Sequence, residues 1–331
     1  MYTLDNNWNE ALAVLHVGLQ NRKTKQNMII LEKLITLMID ICVDKLTTLY
    51  LKEDIGYFRN QCQYQSMNLL EKVLTYLRNK CEKVFLDLEK KHGAEKLIKY
   101  LSDDNTVETF EFNEQDSTTD ELIFLAYTGI DSLEEKNQIV PGATFFLDIS
   151  KNILDTLRSN SKLLEFYNDT ARKMFDFCKK YKSRKEYKKI SETLHSHFNQ
   201  IMKLDKNPEG NSKIPYPIKL DEEAQVMKVM TIRKEQLELA ITMGEWTDAH
   251  KTSGNIYQLM SKVSKKQTDQ QLKNLYIEFF GHLSSIFWES NLYLFHTYAM
   301  YNISYLTKSQ KTTTHAQRQA INDKFVLAAL S

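Results

Sequence analysis

The sequence predicts an all-α protein, a right-handed helical-repeat solenoid built from antiparallel helix hairpins. Three observations carry that expectation. Only nine Gly and four Pro occur in 331 residues, too few for the turns of an all-β sandwich or the glycine loops of a phosphate-cradling α/β enzyme. Apolar residues recur at helical spacing almost everywhere. The ends of those stretches carry polar or glycine caps.

Leu31, Leu34, Ile35, Met38 and Cys42 fall at i, i+3, i+4, i+7 and i+11, which paints one stripe along a helix. The period returns at Leu163, Phe166, Tyr167, Thr170, Ala171, Met174, Phe175 and Cys178, then at Ile190, Leu194, Phe198 and Ile201. The short joint around Lys182 to Lys185 predicts a helix hairpin there. Ser161 is expected to cap the Leu163 stripe and Asp221 the helix from Ala224 to Met243, with Gly244 ending the latter in a left-handed conformation. About a dozen helices are expected by this periodicity.

Two segments interrupt the pattern. Residues 102–121 carry Asp103, Asp104, Glu108, Glu111, Glu114, Asp116, Asp120 and Glu121 with little periodicity, as a solvated acidic loop or insertion would. Residues 205–220 hold Pro208, Gly210, Pro215 and Pro217, which block a continuous helix and mark a linker. The predicted layout is N-terminal helical repeats over 1–101, the acidic loop, central hairpins over 122–204, the linker, and C-terminal repeats over 221–331.

Three junctions share an aromatic residue followed three positions later by a small or aliphatic one: Trp8 and Ala11, Tyr187 and Ile190, Trp246 and Ala249. In tetratricopeptide-like and HEAT-like repeats the aromatic packs between stacked hairpins, and the small residue lets the helices approach. The irregular spacing fits a degenerate array.

Chemistry is hard to find. The sequence lacks nucleophile elbows, P-loops and dinucleotide fingerprints. Of eight His, none forms H-E-x-x-H, and His195 and His197 sit two apart on a helix, pointing about 200° away from one another. Adjacent carboxylates such as Glu134 with Glu135 and Glu222 with Glu223 suit helix starts better than acid–base work. No catalytic, cofactor-binding or metal-ligating residue and no small-molecule substrate is expected. With 44 Lys plus Arg against 43 Asp plus Glu the net charge is +1, which gives no diffuse attraction for nucleic acid or membrane. Cys42, Cys62, Cys81 and Cys178 form no C-x-x-C pair, the first residues are too polar for a signal peptide, and apolar runs are too short to span a bilayer. A cytoplasmic setting without a membrane partner is the expectation.

Two surfaces suggest contact. Lys179, Lys180, Lys182, Arg184, Lys185, Lys188 and Lys189 crowd one helix end and the next helix start, with Tyr181 and Tyr187 interleaved. The helix dipole favours Lys179 and Lys180 but not the cations that follow, so the excess is a candidate for touching RNA phosphates or, alternatively, an ordinary solvated turn. The last third carries Tyr276, Phe279, Phe280, Phe287, Trp288, Tyr293, Phe295, Tyr298, Tyr301 and Tyr305, too many for one narrow stripe. Burial on two sides of a helix is the preferred expectation, an exposed interface the other. Phe325, Val326 and Leu327 are expected to expose an apolar, mobile end face.

The stretch from Leu163 to Ile201 resembles a hairpin of the largest component of eukaryotic translation initiation factor three. It carries that family's Tyr167, Ala171, Phe175, Phe177 and Cys178, its basic turn over 182–189, then Leu194 and His197. Arg59, Asn60, Cys62 and Gln63, the junction Leu237, Ala240, Trp246 and Ala249, and Phe287-Trp288 with Leu294-Phe295-His296 resemble further family segments in the same order. The acidic and proline-containing stretches match poorly. The resemblance implies a non-catalytic scaffold in translation initiation, the helical part leading toward a PCI module whose winged helix is absent, the sequence ending at Leu330-Ser331 where that half would begin, as in a fragment or a shortened subunit. It implies as partners the other subunits of the factor, the c subunit above all, the 40S ribosomal subunit through protein and rRNA, and mRNA. The alternative it leaves is a component of another PCI complex, of proteasome-lid or signalosome type.

Overall fold

The computed structural model describes residues 7–21, 27–101, 130–206, 215–263, 269–308 and 315–330. Among them are thirteen α-helices and no strand. The acidic stretch 102–121 and residues 207–214 of the predicted linker, with Pro208 and Gly210, lie outside the described residues. Pro215 and Pro217 are described and non-helical. The chain divides into two compact units, residues 1–190 and 191–331.

The first unit contains α1 (Trp8–Gln20), α2 (Met28–Asp44), α3 (Leu51–Gln65), α4 (Met67–His92), α5 (Ala94–Leu101), α6 (Ile130–Leu157), α7 (Leu164–Tyr181) and the first turns of α8 (Arg184–Lys206). Helices from α1 to α7 pack chiefly on their first and second neighbours along the chain, as stacked hairpins do. The stripe predicted on α2 is the reason: Leu31, Ile35, Met38 and Cys42 are wholly buried. Asn27 starts that helix, its side chain accepting from the N–H groups of Ile29 and Ile30. On the outer edge Lys72 and Lys80 of α4 pair with Glu32 and Asp40 of α2 at 2.7 and 2.5 Å, in register two turns apart. Such exposed pairs fix alignment more than they add stability.

Pro141 sits inside α6, and Gly142 follows it. A Cβ at Gly142 would run into Leu88 Cδ1, so the glycine permits the close approach of α4 to α6. Next to it lies an aromatic cluster. Phe85 of α4 stacks on Phe146 of α6 at 5.4 Å, and both meet Phe177 of α7, at 5.3 and 5.9 Å. Tyr181, the last residue of α7, closes the group at 4.8 Å from Phe177 and edge-on to Phe85 at 5.6 Å.

The second unit holds the remainder of α8, then α9 (Glu223–Met243), α10 (Trp246–Val263), α11 (Asp269–Glu289), α12 (Tyr293–Lys308) and α13 (His315–Leu330). The pairs α9 with α10, α11 with α12 and α12 with α13 are in close contact, and α9 also reaches α11. Gly244 ends α9 at φ 73° as predicted, and Glu245 alone separates it from α10. The expected caps elsewhere are replaced. Before α7, Asn160 rather than Ser161 accepts from the backbone, at Lys162 and Leu163, and α9 follows Glu222 with no side-chain cap. At all three repeat-like junctions the second residue is buried: Ala11, Ile190 and Ala249.

All four cysteines are buried and free. Burial pushes the Cys42, Cys62 and Cys81 thiols up to about 12. Ellman titration at pH 8 is therefore expected to count no fast-reacting thiol in the native chain and four in guanidinium; rapid native labelling of any of the four would show that its helix is not packed as described.

The basic turn and an exposed aromatic face

The connection between α7 and α8 is two residues, Lys182 and Ser183. Lys182 takes the left-handed conformation at φ 53° that ends α7, its N–H reaching the Cys178 carbonyl. Ser183 is buried, and its N–H also returns to Cys178. So tight a joint leaves the neighbouring side chains little choice of direction. Lys179, Lys180, Lys182, Arg184, Lys185, Lys188 and Lys189 all come out exposed, seven cations against Asp176 and Glu186 in the same stretch.

They are not equivalent. Lys180 reaches Glu89 of α4 at 2.5 Å, and one helical heptad earlier Lys173 pairs with Glu82, so these two lysines zip α7 to α4. Lys189 pairs with Glu186 within its own helix at 2.7 Å. Lys179, Lys182 and Arg184 have no ion pair among the described residues. Asp148 of α6 is close enough to feel both Glu186 and Lys189; burial first, then the Glu186 charge, raises its carboxyl above the usual range.

Tyr181 and Tyr187 do not belong to this surface. Both are fully buried, at 1% and 0% exposure. Interleaved aromatics that stack on bases need open ring faces, and here the rings face the core. The sequence signal was present: Met174, Cys178 and Tyr181 continue one stripe at i, i+4 and i+7, and Tyr187, Ile190 and Leu194 begin the next.

In the second unit the preferred expectation of two-sided burial fails along α12. Leu294, Tyr298, Tyr301 and Tyr305, at i, i+4, i+7 and i+11, form an exposed stripe, from 49% to 79% accessible. Ala299, Met300, Ile303, Ser304 and Thr307 fill the buried side of the same helix. Val326 and Leu327 of α13 are exposed, while Phe325 is half-buried with its ring 5.8 Å from Tyr301. A groove of about 650 Å³ between α11, α12 and α13 is lined by Trp288, His296, Met300, Ile303 and Leu327 among others. Contiguous apolar surface of this kind marks protein contact.

The second unit also holds a network of polar side chains. His195 Nε2 lies 2.9 Å from Asp248 Oδ1, and Ser191 donates to the same oxygen at 2.5 Å. Gln236 donates to Ser191 at 2.8 Å, and Arg233 donates to Gln236 at 2.7 Å and to the Leu194 carbonyl. Ser, His and Asp thus meet without a nucleophile: both Ser191 and His195 are directed at the carboxylate, the opposite of the order that activates a serine. The network ties α8, α9 and α10 together. His197, two residues on from His195, is buried.

Sequentially paired helices that present a charged turn and an exposed aromatic face define a helical-repeat region of the kind that serves as a binding scaffold. The family model described as eIF3a, PCI domain, TPR-like region, matches residues 4–331, and the chain belongs to that family. The A subunit of eukaryotic translation initiation factor 3 from Nicotiana tabacum is 28% identical over 327 residues, covering 97% of this chain and 32% of its own length. The Homo sapiens protein of the same name is 27% identical over 325 residues, covering 97% and 22%. The chain therefore spans about a third or less of the length of these curated relatives. Among solved structures, a circular tandem repeat protein with novel repeat topology covers 99% of this chain and 75% of its own at 12% identity and a TM-score of 0.33, a likeness too weak to bear on function.

The burial pattern sets an expected contrast. Tyr187→Ala removes a buried ring and is expected to cost about 3–5 kcal/mol, whereas Lys185→Gln, a surface change, should stay within about 0.5 kcal/mol. Urea denaturation followed by circular dichroism checks both; equal and small effects would return Tyr187 to the surface.

Proposed function

We propose that this chain is a non-catalytic scaffold element of eukaryotic translation initiation factor three, helping to assemble the factor and to hold it on the 40S ribosomal subunit during mRNA recruitment. The family match over residues 4–331 carries this reading. It also favours the initiation factor over a proteasome-lid or signalosome complex. Two features support the scaffold role: exposed aromatic area on α12, of the sort that binds other subunits, and seven outward cations around a two-residue turn.

The cations act as a phosphate-contacting patch on rRNA, with no reading of sequence. Lys182, Arg184, Lys185, Lys188 and Lys189 supply the contact, Lys189 from its pair with Glu186 within the same helix, while Lys180 ties α7 to α4 through Glu89. Each phosphate neutralised adds roughly 0.7–0.9 to the slope of log K against log salt. Replacing those five residues together by Gln is expected to weaken co-sedimentation with purified 40S subunits and to flatten that slope by about 2 or more. An unchanged slope removes the turn from the electrostatic contact and leaves assembly through the aromatic face as the role of this region. A cytoplasmic location follows from the same reading; no helix among the described residues is long and apolar enough to cross a membrane.

A further inference from the structure

Apart from the basic turn, the second unit brings together three side chains that neither the network around Asp248 nor the aromatic face uses. Glu238 lies on α9, and Glu278 and His282 lie on α11 at i and i+4, so both face the same neighbour. One carboxylate oxygen from each Glu and one imidazole nitrogen of His282 all fall within 4.8 Å of one another. The Nε2 atom of His282 is closed off from solvent and has no hydrogen-bond partner among the described residues; Glu238 Oε1, at 3.8 Å, is beyond hydrogen-bond reach. A buried nitrogen left in this state asks for an explanation.

We propose that Glu238, Glu278 and His282 form a zinc site that staples α9 to α11. An imidazole with two carboxylates is a donor set suited to Zn²⁺ rather than to Mg²⁺ or Ca²⁺, which take oxygen ligands. Zinc bonds of about 2.0–2.2 Å at tetrahedral angles place ligand atoms about 3.3 Å apart. The gaps, 3.8 Å between His282 and Glu238 and none above 4.8 Å, close by rotation of the glutamates, which are 55% and 43% exposed and so free to move. Water takes the fourth position. Lys234, whose ammonium lies 2.5 Å from Glu278, occupies the electrostatic role that the ion takes over and therefore competes with it. The two helices joined are the first members of successive hairpins, so the ion stiffens the step from one hairpin to the next.

The test is a Zn²⁺ titration of the purified, chelator-treated chain by calorimetry, with thermal denaturation alongside and Co²⁺ as a spectroscopic stand-in. The site predicts binding of a single equivalent, an upward shift in Tm, and a tetrahedral Co²⁺ spectrum. His282→Ala and the surface change Glu278→Gln abolish all three without lowering the metal-free Tm appreciably, and Lys234→Met tightens binding. Absence of any zinc-dependent change, or a change that persists in both His282→Ala and Glu278→Gln, overturns the proposal.

Discussion

The aromatic closure at the end of α7 is the constraint on which the candidate contact surface depends. Tyr181 is drawn into the group formed by Phe85, Phe146 and Phe177, and burying such a ring contributes on the order of 2 kcal/mol or more. With Tyr181 inside, Lys180 is directed toward Glu89 and Lys182 must turn in the left-handed conformation. Tyr187 buries its ring on the far side of the turn. The cations between and beside these two anchors are then held at the surface, Lys180 against Glu89 and Lys189 against Glu186. Their outward presentation is thus a consequence of apolar packing, so a helical array can hold such a surface without further support.

The two units meet the same problem in different ways. In the first, an aromatic cluster sits within a largely aliphatic core, and charge is laid along the outside in register, as with Lys72 and Lys80 on α4 and Lys173 and Lys180 on α7. In the second, α12 has a narrow buried side of small and medium residues, Ala299, Ile303, Ser304 and Thr307, and leaves its tyrosines outside. A helix that buries Ala and Ser on one face while exposing Tyr on the other is shaped for contact on both. Inside this unit Arg233 is held by hydrogen bonds to Gln236 and the Leu194 carbonyl, and Gln236, Ser191, Asp248 and His195 continue the network, since a charged group as buried as Arg233 requires partners.

The helical class was legible because its signal is periodicity, and stripes such as Leu31 to Cys42 or Leu194 to Ile201 are long enough to exclude other readings. The αL end at Gly244 was legible for the same kind of reason, a residue suited to one conformation. Caps were less so: Asn160 and Ser161 are both competent, and only the path of the chain decides between them. Neighbouring charge draws Tyr181 and Tyr187 toward the surface in a reading of the sequence, whereas their helical phase already places them inside. The exposure of α12 was hidden because tyrosine is common on either side of a surface. Glu238 lies 40 residues from Glu278, and no local pattern announces a meeting between helices so far apart in sequence.

That this region acts by assembling initiation factor three is tested most directly by affinity purification of the tagged chain from cytosolic extract with quantitative mass spectrometry. Enrichment of other initiation factor three subunits, with 40S proteins released by raising salt, is the predicted result. Recovery of proteasome-lid or signalosome subunits instead, or of no PCI-complex component at all, would contradict it.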